Sequence, residues 1–491
     1  MPLPETPLRT GADYMDSLRG RGLRIFFMGE PVAEPVDHPV IRPSIAAVAA
    51  TYDLASTDPD LAAAPSDISG VVVNRFLHVT TSADDVVAQN KMQRRLGQLT
   101  GTCFQRCVGM DAINSLFSIT YDVDARHGTP YHSRFIAWLA GVQRLNLVVG
   151  GAMTDAKGDR SKGPSQQSDP DMFVRVVERR DDGIVIRGAK AHQTGCINSH
   201  WILVMPTMRL TAADRDWAVV AAVPVEAAGL TYVYGRQSCD TRAMDGDIDV
   251  GNARFAGQEA LIIFDDVFVP WEHVFLDGEF EFAAELVERF TAYHRRSYVC
   301  KSGVGDVLIG AAALIAEYNG VEKASHIRDK LVEMAHLNET IYGAGIAASH
   351  ESHPTAAGNW ENDGLLANVC KHNVTRFPYE IARLAQDLAG GAVVTLPAQA
   401  DFEHPEIGPL LDKYFQGRDG VPTEWRVRVL RLIENMTLGR NAVGYLTESL
   451  HGAGSPQAQR VQIARQMDVE GKKDLARRLA GIDEQADFPT G

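Results

Sequence analysis

The feature that most limits how this chain can fold is a change of hydrophobic period along it. Over residues 83–118 and 131–147, apolar positions recur three and four apart, the spacing of one helical face. At Gly150-Gly151 that pattern stops. Short β-branched runs follow at 173–177, 184–187, 201–205, 218–223, 230–234 and 260–269, separated by Asp182-Gly183, Gly195, Pro206 and Gly257. They read as strands of an antiparallel β-domain. After Trp271 the helical period returns, with candidate helices over 279–298, 302–317, 321–349, 363–389, 423–450 and 455–480, the pattern of a bundle. The order predicts an α+β fold in three parts: a helical 1–149, a β-domain over 150–277 and a helical bundle over 278–491. One apolar run, 23–28, precedes Gly29 and Pro31 and is a candidate strand inside the first part. At 491 residues the chain exceeds what one core supports, roughly 250–300 residues.

Charge and composition narrow the function. Lysine and arginine number 48 against 63 acids, a net charge of −15, the wrong sign for a general nucleic-acid binder. An anionic substrate would need a local cluster of positive groups. The stretch 135–153 is interrupted by Gln143, Arg144 and Asn146, short of the roughly 20 apolar residues of a membrane span. The opening Met-Pro-Leu-Pro-Glu lacks the basic start and apolar run of an export signal, so the chain reads as cytoplasmic. Cys103, Cys107, Cys196, Cys239, Cys300 and Cys370 are too sparse for a disulfide framework. Such cysteines are either small buried hydrophobes or they carry chemistry.

Several clusters could carry that chemistry. Cys103-Phe-Gln-Arg-Cys107 falls in a predicted helix, where a four-residue step puts both sulfurs on one face. Alone, such a pair most simply reads as two core thiols. Tyr293 to Lys301 adds His294, Tyr298, Cys300 and Lys301. Three cysteines and a histidine suit tetrahedral zinc or an iron–sulfur cluster with one histidine ligand, and spacing leaves both open. In Thr447 to Pro456, the plain reading is a helix ending near His451, a glycine cap at Gly452 or Gly454, and Pro456 opening the next helix. The glycines of Ala191-His-Gln-Thr-Gly195 and Gln386-Asp-Leu-Ala-Gly-Gly391 end elements or let a cofactor phosphate approach the backbone. Gly303-Val-Gly305 lacks the third glycine of a dinucleotide fingerprint, which argues against a Rossmann fold. His127, His132, His350 and His353 form no zinc motif and read as surface residues.

The helical–β–helical order, the Gly151–Arg160 loop, His192-Gln-Thr-Gly195 and His451-Gly-Ala-Gly454 resemble the 4-hydroxyphenylacetate 3-hydroxylase superfamily, nearly end to end. The Cys/His set resembles that of its acyl-CoA-dehydrating members, and the flavin-dependent phenol hydroxylases lack it. The resemblance implies an acyl-CoA-dehydrogenase-like fold, non-covalent FAD, a 4Fe–4S cluster and a homotetramer. It implies cluster ligation by Cys103, Cys107, His294 and Cys300, and active-site places for Gln105, Thr194, Glu259, Tyr298, Lys301, Glu448 and Ala453. Flavin contacts are implied at Met153, Thr154, Asp155, Asp159, Arg160, Gln193 and Thr194, and contact with a neighbouring subunit's FAD at Gln386, Gly390 and Gly391. The implied reaction is radical loss of water from 4-hydroxybutyryl-CoA to give crotonyl-CoA, with isomerisation of vinylacetyl-CoA. His294 is the implied base, Glu448 a second acid–base group, and Tyr298 and Lys301 stabilise charge near the thioester. The enzymatic alternative is a two-component flavin monooxygenase without a cluster; the non-enzymatic one is an FAD- or zinc-holding subunit.

In the family pattern the histidine and last cysteine ligands lie seven residues apart, whereas His294 and Cys300 are six apart. At about 100° per residue, seven steps return to within about 20° of the same face and six leave about 120°. The shorter spacing therefore predicts a non-α kink between His294 and Ser302 that turns the Cys300 sulfur towards Cys103 and Cys107, themselves on one undisturbed helical turn.

Overall fold

A computed structural model of the chain describes residues 4–236, 248–249 and 251–482; Cys239 lies outside the described residues. The first part runs α1 (Gly11–Ser17), β1 (Ile25–Phe27), β2 (Glu30–Val32), α2 (Arg42–Thr57), α3 (Pro59–Ala62), β3 (Ala63–Pro65), β4 (Val72–Asn74), α4 (Ala83–Thr100), α5 (Cys107–His127) and α6 (Tyr131–Leu145). The candidate strand at 23–28 is β1, and it reaches beyond its own part of the chain. It pairs in parallel with a strand two hundred residues later, Ile25 opposite Tyr232.

The middle part supplies β5 (Val149–Ala152), β6 (Arg175–Arg179), β7 (Gly183–Thr194), β8 (Trp201–Val204), β9 (Val219–Pro224), β10 (Leu230–Tyr234), β11 (Glu259–Pro270) and β12 (Val274–Asp277). They form two sheets, ordered β2-β1-β10-β11-β7-β6 and β12-β9-β8-β5. Both are mixed rather than purely antiparallel, because β1 joins β10 and β5 joins β8 in parallel. Every residue of β5 and β8 is buried, which is why these runs are continuously apolar instead of alternating. In the first sheet β11 lies beside β7, bringing Glu259 opposite Thr194.

The bundle comprises α7 (Ala283–Ser297), α8 (Cys300–Tyr318), α9 (Ser325–His350), α10 (Gly364–Val374), α11 (Phe377–Ala389), α12 (Gln399–Glu403), α13 (Gly408–Tyr414) and α14 (Thr423–Thr437), followed by a short helical stretch, Arg440–Ala442, a π-helical turn Val443–Thr447 and Glu448–His451, and by helices at Pro456–Gln466 and Val469–Leu479. The apolar span over 363–389 is two helices. Pro378 cannot donate a backbone hydrogen bond, so α11 opens there while α10 closes at Thr375. By composition, Phe280–Tyr318 is long and apolar enough to cross a membrane, yet 67% of its apolar window is buried inside the protein.

Two breaks position the site. Serine 82 caps α4, its side chain accepting from the Asp85 N–H, and α4 ends at Gly101, which takes the left-handed conformation (φ 59°) that a side chain disfavours. Residues 102–106 are consequently not helical, and Gln105 itself has φ 66°. The expectation that Cys103 and Cys107 share an undisturbed turn is corrected here: Cys103 lies in the connecting segment and Cys107 begins α5. The second break was expected. Tyr298 and Val299 fall outside both α7 and α8, and the chain crosses them on tighter bonds, Lys301 N–H to Tyr298 O at 3.0 Å and Ser302 N–H to Val299 O at 2.9 Å.

Candidate active site

Both breaks face one small cavity. Its lining includes Cys103, Gln105 and Cys107 from the segment that opens α5, Thr194 from the end of β7, His294, Tyr298, Cys300 and Lys301 from the α7–α8 kink, and Glu448 from the turn after α14. The four groups implied as ligands thus converge from two places, and the kink brings Cys300 to the same cavity as Cys103 and Cys107. Cys107 and Cys300 meet as thiols: a hydrogen bond from the Cys107 Sγ–H holds Cys107 above the usual thiol range and draws Cys300 below it. Cys103 faces the Glu448 carboxylate at 3.7 Å, and burial together with that carboxylate pushes its thiol well up. Among the described residues, no three His, Cys, Asp or Glu side chains close on a single point as one metal ion would require. The sulfurs line walls instead.

His294 is oriented by a residue the sequence reading missed. Its Nδ1 lies 2.8 Å from Asp111 Oδ2, and Asp111 is fully buried. A carboxylate accepts only, so Nδ1–H is the donor of this bond and Nε2 is the ring nitrogen it leaves unengaged. Ser297 Oγ donates to the other Asp111 oxygen at 2.9 Å, and Arg296 stands 3.5 Å from it. Asp111 lies four residues after Cys107 on α5, one turn along the same face, which is the signal that could have found it.

On the opposite wall, Lys301 Nζ donates to Glu448 Oε2 at 2.8 Å and to Gly444 O at 2.7 Å. Burial works against the Lys301 ammonium, but Glu448 and the neighbouring cysteines outweigh it and hold its pKa above the lysine range. Thr194 Oγ1 donates to Glu259 Oε1 at 2.6 Å. Burial first, and repulsion from Glu448 second, raise the Glu259 carboxyl well above its usual range, so it keeps its proton. Burial also keeps the Tyr298 phenol protonated, again reinforced by Glu448. The phenol oxygen rests against Gly452, where a Cβ would lie 1.6 Å from it, so only glycine fits.

Other expected residues have structural engagements. The Gln105 amide donates to Ser44 O at 2.9 Å and its Oε1 accepts from Asn198 at 2.7 Å, so its side chain fixes the cavity wall. Ala453 takes the left-handed conformation expected of a glycine (φ 54°) and its carbonyl accepts from Arg295 Nε at 3.1 Å. Pro456 does open the next helix, and His451 is exposed. Gln193 Oε1 accepts from Met153 N at 3.0 Å and its amide donates to Thr154 O at 2.9 Å. Asp155 is paired with the buried Lys190 at 2.5 Å, while Asp159 and Arg160 are exposed on the loop beyond. Gln386 is half-buried and Gly390 and Gly391 are exposed, apart from the cavity of their own chain. Of the histidines read as surface residues, His132 is half-buried and bonds Thr120 at 3.0 Å. A wider cleft of about 640 Å³ near the N-terminus, lined by Arg9, Arg21, His200 and Glu226, holds none of these groups.

Residues 10–276 match the family model of the 4-hydroxyphenylacetate 3-hydroxylase N-terminal part, and residues 283–481 match that of its C-terminal part. The chain is 56% identical, over 97% of its length and 100% of the relative's, to the 4-hydroxybutyryl-CoA dehydratase/vinylacetyl-CoA-Δ-isomerase of Clostridium aminobutyricum. It is 27% identical, over 88% of both chains, to the 4-hydroxyphenylacetate 3-monooxygenase oxygenase component of Thermus thermophilus. A solved structure of an oxygen-tolerant archaeal 4-hydroxybutyryl-CoA dehydratase from N. maritimus superposes with a TM-score of 0.96 at 67% identity, covering 98% of this chain and 97% of that one. The oxygenase component HpaB complexed with FAD superposes with 0.83 at 24% identity over 96% and 98%, a likeness of fold alone. Matched by both halves of the family model and by a relative along its whole length, the chain belongs to the 4-hydroxyphenylacetate 3-hydroxylase family.

Proposed function

We propose that this chain dehydrates 4-hydroxybutyryl-CoA to crotonyl-CoA and converts vinylacetyl-CoA to the same product. The end-to-end identity of 56% to an enzyme that bears both activities in its name carries the reading. Identity to the monooxygenase component stands at 27%.

The residues fit the two cofactors this reading needs. For a 4Fe–4S cluster there are three thiols and one histidine around a shared cavity. Cys107 begins α5 and packs with Cys300 among Leu96, Phe104 and Met110, an apolar shell suited to a cluster. For FAD, Thr194 lines the cavity, Gln193 ties down Met153 and Thr154, and Asp159 and Arg160 are exposed on the loop that follows. When bound, the flavin would supply one-electron chemistry and the cluster a Lewis-acidic iron. We also read the enzyme as cytoplasmic, acyl-CoA-dehydrogenase-like in layout, and tetrameric, with Gln386, Gly390 and Gly391 turned to a neighbouring subunit's FAD.

The chain's own groups account for the protons. Dehydration removes one hydrogen each from C2 and C3, removes hydroxide from C4 and returns a hydrogen to C4. His294 Nε2, freed by the Asp111 bond, is the nitrogen available to iron or to a substrate proton. Glu448, held by Lys301, is the second acid–base group. Glu259, kept protonated, is a proton donor, and Lys301 and the Tyr298 hydroxyl present positive charge and a hydrogen bond where negative charge develops. The test is an anaerobic incubation with 4-hydroxybutyryl-CoA and separation of the CoA esters. Crotonyl-CoA must appear without any added electron acceptor. Its absence, with oxygen-dependent hydroxylation of a phenol by supplied reduced flavin, would establish the monooxygenase reading instead.

A further inference from the structure

Lys371 is a buried cation that the functional reading leaves unused. It lies on α10, has no exposed surface, and its Nζ stands 4.2 Å from the centre of the Tyr298 ring. The same ammonium donates to the carbonyl of Ser449, the residue after Glu448. Among the described residues no carboxylate forms an ion pair with it. Burying an ammonium without a counter-ion is costly, and methionine would fill the space more cheaply. Burial, joined by repulsion from Lys301, lowers its pKa to about 7. One turn earlier on the same helix, Asn368 Oδ1 accepts from Arg295 Nη1 at 2.7 Å, and Arg295 in turn holds the Ala453 carbonyl. One face of α10 therefore grips both the kink and the Glu448 turn.

We propose that Lys371 is a positioning residue: its ammonium, stacked on the Tyr298 ring and bonded to the Ser449 carbonyl, locks the phenol and the Glu448 carboxylate into one arrangement. The proposal rests on the dehydratase reading for its kinetic part and on geometry alone for its structural part. A cation over a phenol ring also favours negative charge on that ring, which strengthens the Tyr298 hydroxyl as a donor. Truncating only one of the two grips would leave the other. Lys371 makes both, while Lys301 stands farther from the same ring, at 5.5 Å, and bonds Glu448 itself.

The test compares Lys371→Met with Lys371→Arg in the holoenzyme. In Lys371→Met, crystal structures should show the Tyr298 ring or the Ser449 carbonyl displaced, iron and flavin retained, KM for 4-hydroxybutyryl-CoA little changed, and kcat lower by about tenfold or more. Lys371→Arg keeps a cation over the ring and should recover most of kcat. Unmoved Tyr298 and Glu448 in Lys371→Met would overturn the proposal whether or not the substrate assignment holds. So would full kcat in Lys371→Met, or a kcat loss that Lys371→Arg shares equally. Wild-type enzyme that does not turn over 4-hydroxybutyryl-CoA would sink the functional reading by itself and leave the two crystal structures to decide the role of Lys371.

Discussion

Replacing Gly452 by alanine asks whether the Tyr298 hydroxyl is seated where the backbone has no room for a side chain. The backbone at Gly452 has φ −63° and ψ 145°, ordinary for alanine, so no conformational strain is added. Steric conflict is the whole perturbation. The new Cβ would lie 1.6 Å from the Tyr298 oxygen and 2.9 Å from both Tyr298 Cζ and Glu448 O. Tyr298 has little freedom to retreat, with Lys371 over its ring and His294 against it at 5.4 Å between centroids. Overpacking of this kind costs about 1–3 kcal/mol. With about 2.1 cal/mol/K of unfolding entropy per residue, a chain of 491 residues loses about 1 °C of melting temperature per kcal/mol, hence about 1–3 °C. Turnover should suffer more, since moving a catalytic group by about 1 Å costs on the order of 100-fold. Thermal melts and anaerobic crotonyl-CoA assays read the two effects. In a Tyr298→Phe background the closest conflict relaxes from 1.6 to 2.9 Å, so Gly452→Ala should cost less there. Equal melting losses in both backgrounds, or unimpaired turnover in Gly452→Ala alone, would refute the reasoning.

Three further outcomes are expected. Asp111→Asn keeps the shape but removes the anionic acceptor for His294 Nδ1–H, so iron binding should weaken about 10–100-fold; undiminished iron in the purified variant would count against it. Glu448→Gln preserves an oxygen for Lys301 but cannot shuttle a proton, so turnover should fall about 10²–10⁴-fold with iron and flavin intact; full activity would reduce Glu448 to a helix-end residue. Because the folded chain lowers Lys371 from its ordinary value to about 7, the unfolded chain binds the extra proton between that pH and the ordinary lysine range. The burial penalty is then complete below about pH 7 and fades as pH rises, so stability contributed at this site increases with pH across that window. Lys371→Met should flatten that rise in melting temperature relative to wild type, and identical slopes would contradict the assignment.

Much of this architecture is readable from period and spacing. The run 230–234 is a strand with those bounds because its β-branched and aromatic residues pair with β11 on one side and β1 on the other. The kink before Cys300 is readable because two residues six apart that are expected to meet at one site cannot share a helical face. Reading Cys103 and Cys107 onto one helix failed for an identifiable reason. The helical period over 83–118 gives no sign of the break, which the left-handed Gly101 and Gln105 make between α4 and α5. Asp111 and Lys371 were missed because a charged residue on a helix reads as solvent-facing until the fold buries it; Lys371, in the last turn of α10, looks like an ordinary partner for the helix dipole. Parallel pairing of β1 with β10 depends on contacts between residues two hundred positions apart, which no local pattern encodes.

On the proposed reading, the cavity between Cys103, Cys107, His294 and Cys300 houses an iron–sulfur cluster beside a flavin. Quantifying iron, acid-labile sulfide, zinc and FAD in anaerobically purified protein tests it most directly. About four irons and about four sulfides per chain are expected, with FAD bound and zinc at trace level. Flavin-replete protein carrying zinc alone, or no metal at all, would contradict it.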